Sequence, residues 1–243
     1  MLVGVGVGPG DPELITVKAL RVLGRVDRVF APTMASDAFG RAESIVRQAD
    51  AGIDVERLVF AVAVDADGGD RDRAAAHVVA AERVVACLDA GEQVAFVTLG
   101  DPNVYSTFHH LAGAVLERRP ETDVQTVPGI MAFQDLAAQA GVVVLDGTER
   151  LTVVSAVEGP DVLDPALDDP ETAIVVYKGG RHLPAMAQRL AAVDRIDGAV
   201  FGELLGLPGQ RTGPVTTHAD RPAAYLATVL IPPASRASFG GHA

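Results

Sequence analysis

Two apolar runs, residues 2–7 and 93–99, each end in a turn of glycine, aspartate and proline: Gly8-Pro9-Gly10-Asp11-Pro12 and Gly100-Asp101-Pro102. A helical pattern follows each turn. No other feature limits the fold as much, because apolar runs of this length read as strands buried on both faces, which occur in parallel sheets covered by helices. Glycine at a strand's exit lets backbone approach a ligand closely, and a helix N-terminus beyond it offers unpaired N–H groups. Asp11 is expected to cap the first helix, with Pro12 at its first position. For the first turn a tight bend without a ligand stays open, as does a purely capping role for Asp101 in the second.

The chain has 243 residues, 49% of them hydrophobic, enough for one large α/β domain or two lobes. Trp is absent and aromatics make up 5%, so the core must be built from Val, Leu, Ala and Ile. The single cysteine, Cys87, excludes an internal disulfide framework and fits a cytoplasmic, reducing compartment; its apolar neighbours predict a buried small side chain. No apolar run reaches the roughly 18 residues that a membrane span needs, and no secretory leader is expected. A net charge of −12 disfavours nucleic-acid binding, which needs clustered Lys and Arg. An anionic ligand would have to be held by local positive groups.

Along the chain, the pattern predicts a helix over 12–23, a strand over 26–31 stopped by Pro32, a helix over 73–90 ended by Gly91, and a helix over 103–118. Residues 33–73 show no clear pattern, and the acidic stretch 65–70 reads as a solvated loop. The polar cluster at Pro120 predicts a lobe boundary, with a strand over 123–127 opening the second lobe and Pro128-Gly129 turning into a helix over 130–140. Strands follow over 151–157, 172–177, 199–204 and 225–231, with a helix over 183–193. The expected organisation is an N-terminal lobe, 1–118, a C-terminal lobe, 119–232, and a flexible tail, 233–243.

Known ligand motifs can be tested by position. A G-x-G-x-x-G frame starting at Gly4 meets Pro9 where glycine is required, and one starting at Gly6 meets Asp11. No Gly-Lys-Ser/Thr follows for a P-loop. His109-His110 does not make a metal site, since adjacent helical residues point about 100° apart and no partner has ligand spacing. No metal is expected.

Taken together, Val5-Gly6-Val7-Gly8-Pro9-Gly10-Asp11-Pro12, Leu99-Gly100-Asp101-Pro102 and Pro128-Gly129-Ile130 resemble, in order and spacing, the tetrapyrrole methylases, the class III S-adenosylmethionine-dependent methyltransferases. Tyr105-Ser106-Thr107-Phe108 and Lys178-Gly179-Gly180-Arg181-His182-Leu183-Pro184 are similar to the precorrin-2 C-20 methyltransferase branch. The resemblance spans residues 1–232. It departs where relatives often carry a Glu-Arg pair, since this chain reads Gly202-Glu203-Leu204-Leu205, and where Val62-Ala63-Val64-Asp65 replaces a frequent Pro-Met pair.

The resemblance implies two α/β lobes, each a largely parallel or mixed sheet flanked by helices, with the active site in the cleft between them, and a homodimer. It implies methylation of carbon 20 of precorrin-2 to precorrin-3A in cobalamin biosynthesis, with cobalt-factor II methylation or the activity of another family member as the alternative, S-adenosyl-L-methionine as donor and S-adenosyl-L-homocysteine as product. Cofactor contacts carried over are Pro9, Leu99, Gly100, Asp101, Val104, Ser106, Thr107, Met131, Ala132, Tyr177, Lys178, Leu205, Gly206, Leu226 and Ala227. The eight carboxylates of precorrin-2 need cations, for which Lys178, Arg181, His182, Arg41 and Arg47 are the candidates. Tyr105 and Asp101 are the candidate catalytic groups, with His182 a further candidate base. A relative acting on RNA or protein, and a binding module without activity, are the competing readings.

Overall fold

The apolar runs become strands because each residue on them has a helix to pack against, whichever face it points to. The computed structural model describes residues 1–33, 40–60 and 69–234, with the backbone alone for 69–76. The chain divides into two units, Met1–Met131 and a second beginning at Ala132.

In the first unit, β1 (Leu2–Gly6) leads to α1 (Val17–Leu23), β2 (Arg28–Thr33), α2 (Arg41–Ala49) and β3 (Glu56–Val59). Then come α3 (Gly69–Asp89), β4 (Val94–Thr98), α4 (Thr107–Arg118) and β5 (Val124–Val127). The strands form one parallel sheet in the order β3-β2-β4-β1-β5. The pleat sends alternate side chains to opposite faces. Val3, Val5 and Val97 pack with Ala19 and Leu23 of α1 and Ile45 of α2, whereas Leu2 and Phe96 pack with Val84 of α3 and Phe108 and Leu111 of α4. Cys87 is buried on the α3 side, as its neighbours predicted.

The second unit carries α5 (Ala132–Ala140), β6 (Arg150–Ser155), α6 (Asp164–Leu167), β7 (Thr172–Tyr177), α7 (Leu183–Ala192), β8 (Val200–Glu203), β9 (Arg211–Pro214), α8 (Val215–His218) and β10 (Ala227–Ile231). Its sheet runs β6-β7-β10-β8-β9, parallel between β6 and β7 and antiparallel elsewhere. Leu136 of α5 packs with Val175 and Leu230 on one face; Met186 and Leu190 of α7 pack with Ile174, Phe201 and Val229 on the other.

Several local expectations are corrected. The helix over 12–23 is two pieces, because two caps compete for it. Asp11 accepts from the Glu13 amide at 2.8 Å and caps only a 3-10 turn, Pro12–Leu14, whereas Thr16 accepts from Ala19 at 3.0 Å and starts α1. Pro32 does not stop β2. It lies inside the strand, past Phe30, where pairing with β4 has already ended and a missing N–H is tolerated. The helix expected from Asn103 begins at Thr107, after a turn in which Tyr105 adopts φ 48°.

The largest difference concerns β5. Predicted to open the second lobe, it pairs with β1 as the edge of the first sheet, so the units divide after Met131 rather than at Pro120. The unpatterned stretch 33–73 contains α2 and β3. Of the acidic stretch, 65–68 lies outside the described residues, while Gly69 and Asp70 already belong to α3. The Val62-Ala63-Val64-Asp65 substitution and the tail from 235 onward also lie outside the described residues.

Candidate functional site

At the exits of β1, β4 and β5 the chain comes together backbone to backbone. The Gly100 amide donates to the Gly8 carbonyl at 2.8 Å, and the two residues form an antiparallel bridge. A Cβ on Gly129 would lie 2.1 Å from the Gly100 carbonyl oxygen, and one on Gly6 would lie 2.5 Å from it. Glycine is therefore required at both positions for the strand ends to meet. A Cβ on Gly100 would enter open space, with nothing within 4 Å, so its own requirement is the left-handed φ of 67°.

Asp101 ties these exits together. One carboxylate oxygen accepts from the Asn103 amide at 2.8 Å, and the other accepts from the Gly129 amide at 3.0 Å. Both alternatives open in the sequence thereby take a new form. Asp101 caps no helix, and its carboxylate already holds two backbone amides, one of them 28 residues away. Ser106 is the helix cap instead, accepting from Phe108 at 3.1 Å and sharing a 2.9 Å hydrogen bond with Thr98.

The topology gives this place further significance. β1 and β4 are neighbours, yet α1 after β1 and α4 after β4 lie on opposite faces of the sheet. The two connections therefore diverge from a topological switch point at the carboxyl ends of β1 and β4, the usual ligand position in open α/β sheets. The Gly8 and Gly100 turns stand at that point. Of the expected contacts, Pro9 is buried here, Leu99, Gly100, Asp101, Val104, Ser106 and Thr107 are half-buried, and Met131 follows the Pro128-Gly129 turn. Tyr105 stands exposed beside them, its left-handed backbone a conformation that aromatic residues rarely hold without a reason.

In the second unit the candidates gather around the exits of β7 and β8 and the start of β10. The Tyr177 hydroxyl accepts from the Phe133 amide at 3.3 Å, which ties the β7 end to Ala132 and the first turn of α5. Burial pushes the Tyr177 phenol up to about 12, against the opposing effect of that amide. Lys178 takes φ 58°, and burial lowers the pKa of its half-buried ammonium. Gly179 and Gly180 follow where side chains would collide; a Cβ on Gly180 would lie 2.0 Å from the Ala224 carbonyl. After β8, Leu204 takes φ 53° and Gly206 φ 67°, with Leu205 buried between them. Leu226 is half-buried, and Ala227 pairs with Glu203 across β10 and β8.

The five cations expected for substrate have different surroundings. Arg47 is committed to holding Glu43, at 2.9 Å, and the Val55 carbonyl, at 3.2 Å. Arg41 is exposed at the start of α2. Arg181 donates to the Val157 carbonyl and, at 2.9 Å, to the His182 ring, so these two form one unit beside Lys178.

Sequence reading missed three arrangements. Glu43, fully buried, accepts from Arg47 and, at 2.6 Å, from Arg57; burial pushes its carboxyl up, but the two guanidiniums outweigh that and hold it below its ordinary value. Glu203, which lacks an arginine beside it in sequence, accepts from Arg211 across the β8–β9 hairpin and from the Ala224 amide at 2.7 Å. Gln210 accepts from the Gly206 amide at 2.6 Å and donates to Gln139 of α5 at 2.6 Å. For Glu203 the signal in the sequence was a charged residue at the end of an apolar strand, and for Glu43 an arginine four residues on; Arg57, Ala224 and Gln139 lie too far along the chain to be read locally.

Comparison with known proteins agrees with this geometry. The family model for Tetrapyrrole (Corrin/Porphyrin) Methylases matches residues 1–219. A precorrin-2 C(20)-methyltransferase of Sinorhizobium sp is 34% identical over 236 residues, covering 95% of this chain and 94% of that protein. A cobalt-precorrin-2 C(20)-methyltransferase of Salmonella typhimurium is 31% identical, covering 95% of each chain. Among solved structures, the uroporphyrin III C-methyl transferase of Thermus thermophilus has the same fold, with a TM-score of 0.64 at 21% identity, covering 95% of this chain and 91% of that one. With the glycine exits, the two five-stranded sheets and a match across nearly its whole length, the chain belongs to the tetrapyrrole methylase family.

Proposed function

We propose that this protein is an S-adenosylmethionine-dependent methyltransferase of cobalamin biosynthesis that methylates carbon 20 of precorrin-2, giving precorrin-3A and S-adenosylhomocysteine. The observation that carries the reading is the topological switch point at the β1 and β4 exits, where Gly100 opens onto free space. The substrate class follows the relatives' names over the full length of the chain.

The residues present fit the cofactor. Leu99, Val104 and Met131 of the first unit, and Leu205 and Leu226 of the second, are the apolar side chains proposed to face a purine and a thioether, and Gly100 lets backbone approach polar groups. Pro9, Asp101, Ser106, Thr107, Ala132, Tyr177, Gly206 and Ala227 complete the proposed contacts. When bound, S-adenosylmethionine supplies a methyl group already activated by its sulfonium charge. The chain's own work is alignment and exclusion of water around an in-line displacement. Lys178, whose partly desolvated ammonium suits a carboxylate, is proposed to hold substrate with Arg181, His182 and Arg41. Arg47 is left to Glu43. Asp101 is assigned the upkeep of the exits, and Tyr105, exposed at the β4 exit, the passing of the proton released after transfer.

Calorimetry with S-adenosylmethionine and S-adenosylhomocysteine tests the cofactor, and absence of binding would reject the enzyme reading. Incubation of labelled methyl donor with precorrin-2, and separately with its cobalt complex, followed by mass spectrometry and carbon NMR, tests the substrate. Label at a carbon other than 20 would reject the assigned position. Turnover of the cobalt complex alone would favour the activity for which the Salmonella relative is named. A cytoplasmic homodimer is part of the same proposal: the lone buried cysteine fits a reducing compartment, and sedimentation of the purified protein checks the stoichiometry.

A further inference from the structure

The loop joining α8 to β10 contains Ala223, Ala224 and Leu226, and it packs Ala219 and Ala223 against the core of the second unit. Hydrogen bonds pin it at three further points. Ala223 N–H donates to the Gly180 carbonyl at 2.8 Å, Ala227 N–H donates to the Ala224 carbonyl at 3.0 Å, and Ala224 N–H donates to the Glu203 carboxylate at 2.7 Å. The Ala224 carbonyl in turn fills the space that a Cβ on Gly180 would occupy. Glu203 is 7% exposed, so its charge must be balanced within the protein. Arg211 does this from the neighbouring strand, its guanidinium lying 5.6 Å over the Phe201 ring. Burial pushes the Glu203 carboxyl up, and the hydrogen bonds from Arg211 and Ala224 bring it below its ordinary value, so it is ionised at neutral pH.

We infer that Glu203, with Arg211 as its counter-ion from β9, is a positioning residue that latches the Ala223–Ala224 segment onto Gly180 and so sets the geometry of the proposed cofactor contacts Tyr177, Lys178, Leu226 and Ala227. This rests on the cofactor reading above. The latch spans three strand ends. Glu203 closes β8, Gly180 lies just beyond β7, and Ala224 lies just before β10. Two charged groups at the rim of a small sheet are a costly way to gain stability alone, because an apolar pair of equal volume would serve as well. They do, however, fix an orientation, since a carboxylate that accepts from both a guanidinium and one backbone amide has a single low-energy placement.

The test combines three variants with two readouts. Glu203→Gln keeps the shape but gives up the charge, Arg211→Met removes the counter-ion, and Arg211→Lys keeps a cation without the fork. Amide hydrogen exchange is followed at Ala223, Ala224 and the β10 residues, and S-adenosylhomocysteine affinity is measured by calorimetry. Glu203→Gln and Arg211→Met are expected to exchange at least tenfold faster at Ala223 and Ala224, with β10 protection retained, and to bind at least tenfold more weakly. Arg211→Lys is expected to recover most of the affinity lost in Arg211→Met. A raised KM for the methyl donor, with kcat lowered less, separates positioning from a direct role in the chemistry. Folded variants with wild-type exchange and affinity would overturn the latch. Wild-type protein that binds no S-adenosylhomocysteine while the variants still exchange faster would overturn the cofactor reading and, with it, the positioning role, leaving the latch itself intact.

Discussion

The two units bring strand exits together by different means. In the first, Gly6 and Gly129 let three parallel strands meet through backbone, and Asp101 spans the joint with two hydrogen bonds. In the second, one close approach again requires a glycine, Gly180 against the Ala224 carbonyl, but a buried carboxylate and its guanidinium also hold the loop, and Lys178 and Leu204 accept left-handed backbone without being glycine. Close backbone approach tolerates no change of shape, whereas a charged latch tolerates shape changes and no loss of partner. The same residue type, an acidic side chain at a strand's end, therefore does different work in each unit.

The comparison is broken most severely at Gly129. Gly129→Ala drives a Cβ into the Gly100 carbonyl, and denaturant unfolding is expected to show a loss of about 3 kcal/mol or more, beyond ordinary overpacking because backbone must move. Gly100→Ala is the control. Its Cβ meets nothing, so only the left-handed conformation is charged, about 1–2 kcal/mol. Since Gly129 has no left-handed φ, equal losses for the two would show that its close contact relaxes at little cost.

Glu43→Ala strands Arg47 and Arg57 without their carboxylate, and a loss of about 3 kcal/mol is expected by the same measurement. Glu43 and Glu203 also predict the pH response. Both carboxyls lie below the ordinary value of 4.5, so each binds its proton more weakly folded than unfolded. Their contribution is present above about pH 4.5 and is lost as pH falls through the folded values. Thermal scans from pH 6 to pH 3 should show a shallower decline for Glu43→Gln than for the wild type, starting from a lower value; parallel curves would remove Glu43 from the acid response.

Smaller effects separate holding from chemistry. Asp101→Asn retains one acceptor oxygen and loses one amide contact, at about 1.5 kcal/mol of stability, with cofactor affinity expected to fall about tenfold as the exits loosen. Unchanged affinity would confine Asp101 to the fold. Tyr105→Gly has the smallest expected effect and the opposite sign. Relief of the left-handed strain should raise stability by under about 1 kcal/mol while turnover drops, a pairing that equilibrium unfolding and a methyl-transfer assay check together.

Strands buried on both faces were legible as unbroken apolar runs, and β1, β4 and β7 lie where those runs fall. α2 and β3 were not, because their apolar positions are interleaved with Glu43, Arg47, Glu56 and Arg57, whose charges read as surface until their pairing is known. β9, Arg-Thr-Gly-Pro, carries no strand pattern at all and is held by its hairpin register, Glu203 opposite Arg211. The site was half legible. Gly100 and Asp101 stood out, but as a place for ligand, with no sign that Asp101 reaches Gly129.

By itself, then, the sequence determined which segments are buried strands, where the glycine turns close them, and which family the order of those turns belongs to. Those properties are local: burial on both faces demands continuous apolar residues, and a turn demands its glycine where it stands. Only the tertiary structure decided that β5 completes the first sheet, that Arg211 serves Glu203, and that Asp101 ties two exits together. Each depends on residues distant in sequence meeting at hydrogen-bond range, which strand order and register set, and neither leaves a mark on the local pattern.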